Sequence, residues 1–366
     1  MNIAERAGRV VADFAGVLPR AHSALTSSGD WNALSLNGAR QLGEVVLDEL
    51  ALTGLTLTAP PPRLERSVAS CAAIGAELPT DLAEAHTDPD PLRIRAVQRR
   101  RFGRHSYEQL TFDHDPVLPE PLAREGFGGP ATAVLHLCRD DDSRRPWLVW
   151  VHGAGQGQPI DLLVSRARRI QDRFGFNIAL PVQPGCGVRR SRWPRYPSMD
   201  PVENVAGMMR AVSEVRAVVR WLRPQADAVA VSGVSMGSPV AGLVSHLEPV
   251  DAVAVYTPIA GLNAMIAAHL GRWGPSVRDT IALLQSGAAA DLMAVVDYQS
   301  VAPTAPPDRR LIVGAWYDQM ARPETARELH QRWGGQLYWH RGSHVGHLVA
   351  PGVQAASEEF LRAVGR

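Results

Sequence analysis

The sequence predicts an α/β protein: a doubly wound, mostly parallel sheet with a helical extension at its N-terminus and a helical insert towards its end. Three observations carry this. From about residue 105, short apolar runs alternate with stretches of helical length, the order that builds parallel strands joined by crossover helices. One of these runs, Pro146-Trp-Leu-Val-Trp-Val151, is almost continuously apolar and bounded by turn residues, as expected of a strand buried on both faces. Finally, Gly233-Val-Ser-Met-Gly237 stands between a β-rich run, Asp227 to Ser232, and a helical stretch, Ser238 to Leu247, with Pro239 in its first turn.

Taken in order, residues 1–20 suit an amphipathic helix with Ile3, Val10, Phe14, Val17 and Leu18 on one face and Pro19 as its end. Residues 36–58 read as a second helix, with Leu36, Val45, Val46, Leu50 and Leu52 apolar, broken by Pro60 to Pro62. A third helix is expected over 63–78, followed by a Pro- and Asp-rich linker over 79–91. The helical region then runs to about residue 100 and carries no recognisable chemistry. Arg99, Arg100, Arg101 and Arg104 read as a solvated face rather than a phosphate patch. Strands follow at Tyr107–Phe112, Ala131–Cys138 and Pro146–Val151, with an exposed turn at Asp140 to Asp142. A helix over 159–174 leads to a strand at Phe176–Pro181, a long Gly-, Pro- and Arg-rich loop to Pro201, and a helix over 202–222. Beyond Leu247 come a strand at Ala252–Tyr256, an apolar helical stretch over 258–300, a strand at Arg310–Trp316 and a helix over 323–333. A last strand, Gln336–Trp339, and a last helix, 352–364, complete the pattern.

Composition narrows the function. Apolar residues make up 45% of the 366, enough for a sizeable core. The net charge of +1 gives no reason to expect a nucleic-acid partner. All 38 basic residues are Arg, so a Schiff-base lysine, a P-loop lysine and a Ser-Lys dyad are excluded. Cys71, Cys138 and Cys186 are odd in number and form no CxxC pair, so neither a disulfide framework nor a zinc site is expected. No signal peptide and no membrane span are expected, and the location these features point to is cytoplasmic.

A serine between a buried strand and a helix, flanked by two glycines, is held in a strained turn that projects its hydroxyl past the strand end. The helix N-terminus behind it favours developing negative charge. Ser235 is therefore the candidate nucleophile. It needs a base, and the base needs an orienting acid. The base is sought after the last strand, where Arg341-Gly-Ser-His-Val-Gly-His347 offers His344 and His347, with His340 a third choice. The acid is sought after the preceding strand, where Asp318 stands, with Asp291 and Asp297 as rivals. His152 reads as an orienting or packing residue. The spacing of His344 and His347 does not suffice for a metal site, so no metal is expected.

In the order Ser235, Asp318, His344, with His152-Gly-Ala-Gly155 after an earlier strand, the chain resembles the α/β-hydrolase superfamily over roughly residues 145–366. The loop Pro181 to Asp200, with Tyr196-Pro-Ser-Met-Asp200, is similar to hydrolases of the abhydrolase domain 18 type. The resemblance implies an α/β-hydrolase fold over 101–366, a helical cap inserted at about 258–300 and an oxyanion hole made by the backbone N–H groups of Met236 and Ala154. It implies a serine hydrolase acting on a small-molecule acyl substrate, a carboxylic ester first, with an amidase, thioesterase or carbon–carbon bond hydrolase as alternatives and no cofactor. A non-catalytic binding member is the rival from another class. The set Ile259, Leu262, Met265, Ile266, Leu270, Ile281, Leu283 and Leu284 suits either an acyl pocket or plain core packing. Arg189, Arg190, Arg192 and Arg195 suit a solvated loop better than a site for an anionic substrate. The helices of residues 1–100 must bury their apolar faces either on the hydrolase body or on a second copy of the chain. In both cases the chemistry is expected to belong to the C-terminal portion alone.

Overall fold

The structure, a computed structural model, describes residues 3–27, 29, 31–58, 66–139, 143–189 and 196–365. The turn expected at Asp140 to Asp142 and the helix break at Pro60 to Pro62 lie outside the described residues, as do Arg190, Arg192 and Arg195. The described strands form one sheet in the order β1-β2-β3-β5-β4-β6-β7-β8-β9. They are β1 (Arg93–Phe102), β2 (His105–His114), β3 (Ala131–Cys138), β4 (Arg145–Val151), β5 (Asn177–Val182), β6 (Ala226–Val234), β7 (Ala252–Tyr256), β8 (Arg310–Ala315) and β9 (Gln336–His340). β1 to β3 are antiparallel and β3 meets β5 antiparallel, whereas every pair from β5 to β9 is parallel. The parallel strands are built from Val, Ala, Ile and Leu because both faces are covered, and Val149, Val231, Val253, Ile312 and Val313 are fully buried.

Five helices matter for the site: α1 (Ile3–Thr26), α2 (Leu36–Thr58), α3 (Val68–Glu77), α4 (Pro201–Leu222) and α5 (Gly237–Leu247). Helix α4 starts sharply, because the Asp200 side chain accepts the Val202 N–H and Pro201 occupies the first turn. It is buried along nearly its whole length, and its charges are paired inside: Arg189 grips Glu214 with two nitrogens at 2.6 and 2.9 Å, and Arg216 reaches Glu248 at 2.7 Å. Arg189 is thus a buried structural cation, neither a solvated loop residue nor a substrate contact.

The structure departs from the sequence reading in three other places. Sheet formation begins at Arg93 and not near 105: the Arg-rich stretch around Arg99 to Arg101 is an exposed edge strand, whose polar faces hide the two-residue alternation. Helix α1 continues through Pro19 to Thr26. Its last turns are held by tertiary packing, with Ala21 and Leu25 fully buried against Val45 and Tyr317. The helix expected over 159–174 is two pieces, Asp161–Val164 and Ala167–Phe174, separated by left-handed Arg166 at φ 58°. Between β7 and β8 the chain is helical, as expected, with no strand from Leu262 to Val296. Among the described residues no single helix is long and apolar enough to cross a membrane.

Candidate active site

Ser235 follows the last residue of β6, and its backbone is left-handed at φ 52°, a conformation that costs a non-glycine residue energy unless its surroundings impose it. Here they do. The Ser235 N–H donates to the Tyr256 carbonyl at 2.9 Å, across to the end of β7. The two flanking glycines are sterically required: a Cβ on Gly237 would strike the Val151 carbonyl, and one on Gly233 would strike the Gly237 carbonyl. Helix α5 starts at Gly237 directly behind the hydroxyl. Ser235 itself is half-buried.

The loop after β4 comes up beside the serine. A Cβ on Gly153 would sit 3.2 Å from the Ser235 Cβ, a tight contact that glycine avoids as the loop passes the serine. The Gly153 N–H is taken by the Gln156 side chain at 2.6 Å. His152 is the strut of this loop. Its Nε2 accepts the Gln183 N–H at 3.0 Å, so the ring proton lies on Nδ1 and is donated to the Gly153 carbonyl at 2.8 Å. Burial pushes its pKa down to about 4, which keeps it neutral.

Asp318 and His344 are brought together. Nδ1 of His344 lies 2.8 Å from one oxygen of Asp318 and 3.0 Å from the other. Asp318 is itself held by the N–H groups of Met320 and Ala321 at 2.8 and 2.7 Å. The opposite nitrogen of His344, Nε2, is buried and has no hydrogen-bond partner. Burial works against a charge on this ring, but Asp318 outweighs it, with help from Asp48, and the pKa is raised above the ordinary 6.5. His347 differs in kind. Its Nδ1 is turned to the His344 carbonyl, not to a carboxylate, and burial lowers its pKa to about 4. Its ring stacks on Tyr256 at 6.0 Å, which ties the histidine loop to the strand end that holds the Ser235 N–H. His340 pairs with Glu44 at 3.2 Å. Asp291 lies in the short helix Gly287–Leu292, and the Asp297 carboxylate accepts the Gln299 N–H, with neither bonded to a histidine.

The residues that sequence reasoning missed lie on α2. The Asp48 carboxylate accepts four hydrogen bonds: from Ser343 Oγ, the His344 N–H and the Val345 N–H, each at 2.8 Å, and from the Gln319 N–H at 3.2 Å. Glu44, one turn earlier, accepts the Ser343 N–H at 3.3 Å. Gln41, Glu44 and Asp48 stand at positions i, i+3 and i+7, and all three are buried. A buried polar stripe at helical spacing is a visible signal, but it is ordinarily read as a solvent face.

The apolar residues over 258–300 prove to be mostly core. Leu270 and Leu284 pack with Trp273 and Val277, and Leu283 joins the main core. Ile259 and Leu262, with Met293, Val296 and Tyr298, border a cavity of about 330 Å³, whose wall includes Met208 and Pro239 but neither Ser235 nor His344.

No family model matches the chain. It is similar to Uncharacterized protein MT2702 of Mycobacterium tuberculosis (strain CDC 1551 / Oshkosh), 31% identical over 288 residues that span 74% of this chain and 68% of that one. The same figures hold for Uncharacterized protein Rv2627c of strain ATCC 25618 / H37Rv. Among solved structures, the fold is shared with acetyl xylan esterase from Paenibacillus sp. R4, at TM-score 0.51 and 16% identity over 83% of this chain and 96% of that one. It is likewise shared with acetyl xylan esterase 1 from Thermoanaerobacterium sp. JW/SL YS485, at TM-score 0.52 and 14% identity over 84% and 96%. With its central parallel sheet and the turn at Ser235, the chain has the α/β-hydrolase fold and belongs to the family of these mycobacterial proteins.

Proposed function

We propose that the protein is a serine hydrolase that cleaves a carboxylic ester through an acyl-enzyme. One observation carries the reading: a buried imidazole, His344, is held by a carboxylate at Nδ1 and left unpartnered at Nε2, at the same carboxyl end of the parallel strands as a serine in a strained left-handed turn. With its proton on Nδ1, His344 presents a lone pair at Nε2. It accepts the Ser235 proton as Oγ attacks the acyl carbon, and Asp318 supports the imidazolium that results. The link between Oγ and Nε2, open in the free protein, closes in the substrate complex, as is usual for catalytic hydrogen bonds. The developing oxyanion is received by the N–H groups of Met236, at the start of α5, and Ala154, on the loop beside Ser235; a single such donor is worth about 3 kcal/mol in other hydrolases. The imidazolium then protonates the leaving alcohol, and a water deprotonated by His344 releases the acid. The helical segment after β7 acts as a cap over this end.

Both fold neighbours are named acetyl xylan esterases, which makes an acetyl ester the first substrate to assay. Turnover of p-nitrophenyl acetate by the wild type, lost in Ser235→Ala, is the expected result. Equal turnover by the two proteins would refute the reading.

A further inference from the structure

Helix α2 does not rest on the hydrolase body as a passive cover. It inserts a carboxylate at two successive turns into the segment Arg341 to His347. The segment is shaped to receive them: a Cβ on Gly342 or on Gly346 would collide with the Glu44 carboxylate. Gln41 adds a hydrogen bond to the Arg341 carbonyl at 3.3 Å. Asp48 reaches furthest. Its two oxygens are shared between Ser343 Oγ and the N–H groups of His344, Val345 and Gln319, so one buried side chain ties the loop carrying His344 to the turn carrying Asp318.

We propose that Asp48 is a positioning residue of the active site. Its carboxylate fixes the backbone of His344, and hence the aim of the imidazole, and its negative charge acts on that imidazole. This rests on the hydrolase reading above.

Two further facts support it. The carboxylate is fully buried yet accepts as many donors as its two oxygens can take, so it is a satisfied polar centre and not a packing accident. Burial raises its pKa to about 6, with Asp318 adding to the rise and His344 opposing it, so Asp48 and His344 feel each other's charge. Around this pair lie Asp318 from the turn after β8, Glu44 and Glu49 from α2, His340 at the end of β9 and His347 from the loop after it. His269 and Arg272 come from the segment after β7. Of these, only Asp318 and Asp48 act to raise the pKa of His344.

Asp48→Asn replaces one acceptor oxygen by an NH2 group that would face two donors. The loop shifts, and kcat towards p-nitrophenyl acetate is expected to fall by about 10²-fold, the scale of an ångström misplacement, with KM little changed. The acid limb of kcat/KM is expected to move to lower pH, because a negative charge beside His344 is gone. Glu44→Gln is the comparator: it weakens the same loop, so kcat falls, but the acid limb stays where the wild type has it. Melting curves establish that each variant is folded. If Asp48→Asn is not, Ser343→Ala, which removes one donor to Asp48, is expected to lower kcat in the same manner. A folded Asp48→Asn with wild-type kcat and an unmoved acid limb would overturn the proposal, as would a Ser343→Ala of full activity. Because Ser235→Ala is assayed alongside, failure of the hydrolase reading shows as undiminished turnover in that variant, whatever Asp48 does.

Discussion

Two histidines three residues apart, His344 and His347, have different partners, and this is where the chemistry divides. His344→Ala should lower ester turnover by several orders of magnitude, leaving only what binding and the oxyanion donors supply. His347→Ala should be much milder in kcat, since its Nδ1 serves a backbone carbonyl and its ring packs on Tyr256. Initial rates of the two variants decide it; the reverse order would move the base to His347. The pH profile belongs to the same scale. The base works when neutral, and the pKa of His344 is raised, so kcat/KM should climb with pH through a midpoint above 6.5. A midpoint below 6.5 would contradict the charge arrangement around His344. The places of Ser235, Asp318 and His344 as candidates were legible in the sequence because each follows a recognisable strand. Asp48 was not, since a carboxylate inside a helical stretch gives no sign of whether it faces water or another loop.

At the scale of elements, α2 is the part the sequence described least well. Its hydrophobic positions suggested an ordinary amphipathic helix, yet Leu36 is 94% exposed while Gln41, Glu44, Asp48 and Glu49 are buried. Periodicity located the helix and the buried positions Val45 and Leu52, but not the polar residues beside them, whose burial is satisfied by hydrogen bonds that only the tertiary structure supplies. Glu49 shows what this arrangement holds together. It takes both terminal nitrogens of Arg272, in the segment after β7, at 2.8 and 3.0 Å, and Nε of Arg20 on α1 at 2.6 Å. Glu49→Gln leaves Asp13 to serve both Arg20 and Arg272 and should cost about 2 kcal/mol at neutral pH, within the range for lost hydrogen bonds to charged groups. The sign with pH follows from the shift. Burial opposes the charge, but Arg272 and Arg20 hold the pKa of Glu49 below 4.5, so its contribution is full above 4.5 and is lost as pH falls through the lowered value. Denaturant titrations of both proteins should therefore converge in acid. A difference that stays constant from pH 7 to pH 3 would show that the ion pair is not its source.

At the scale of the whole molecule, the alternating pattern of runs fixed the parallel half of the sheet from β4 to β9 almost strand by strand, because buried parallel strands are written in continuous apolar residues. The antiparallel edge was less legible: β1 is mostly exposed and rich in Arg, and nothing in its composition demands a sheet. The N-terminal helices are the larger surprise. The chemistry was expected to reside in the C-terminal portion alone, yet α1 and α2 bury Ala21, Leu25 and Val45 against Tyr317, the residue before Asp318, and α2 bonds the loop of His344. A chain shortened to begin at residue 91 should accordingly lose probe reactivity even where it stays soluble, which a labelling gel beside a melting curve would reveal. Full reactivity in a folded truncation would restore a separable extension. The most direct test of the account as a whole is covalent. Treated with a fluorophosphonate and mapped by peptide mass spectrometry, the wild type should carry one adduct, on Ser235, and Ser235→Ala should carry none. An adduct on any other residue, or labelling that survives the substitution, would contradict the assignment of the nucleophile.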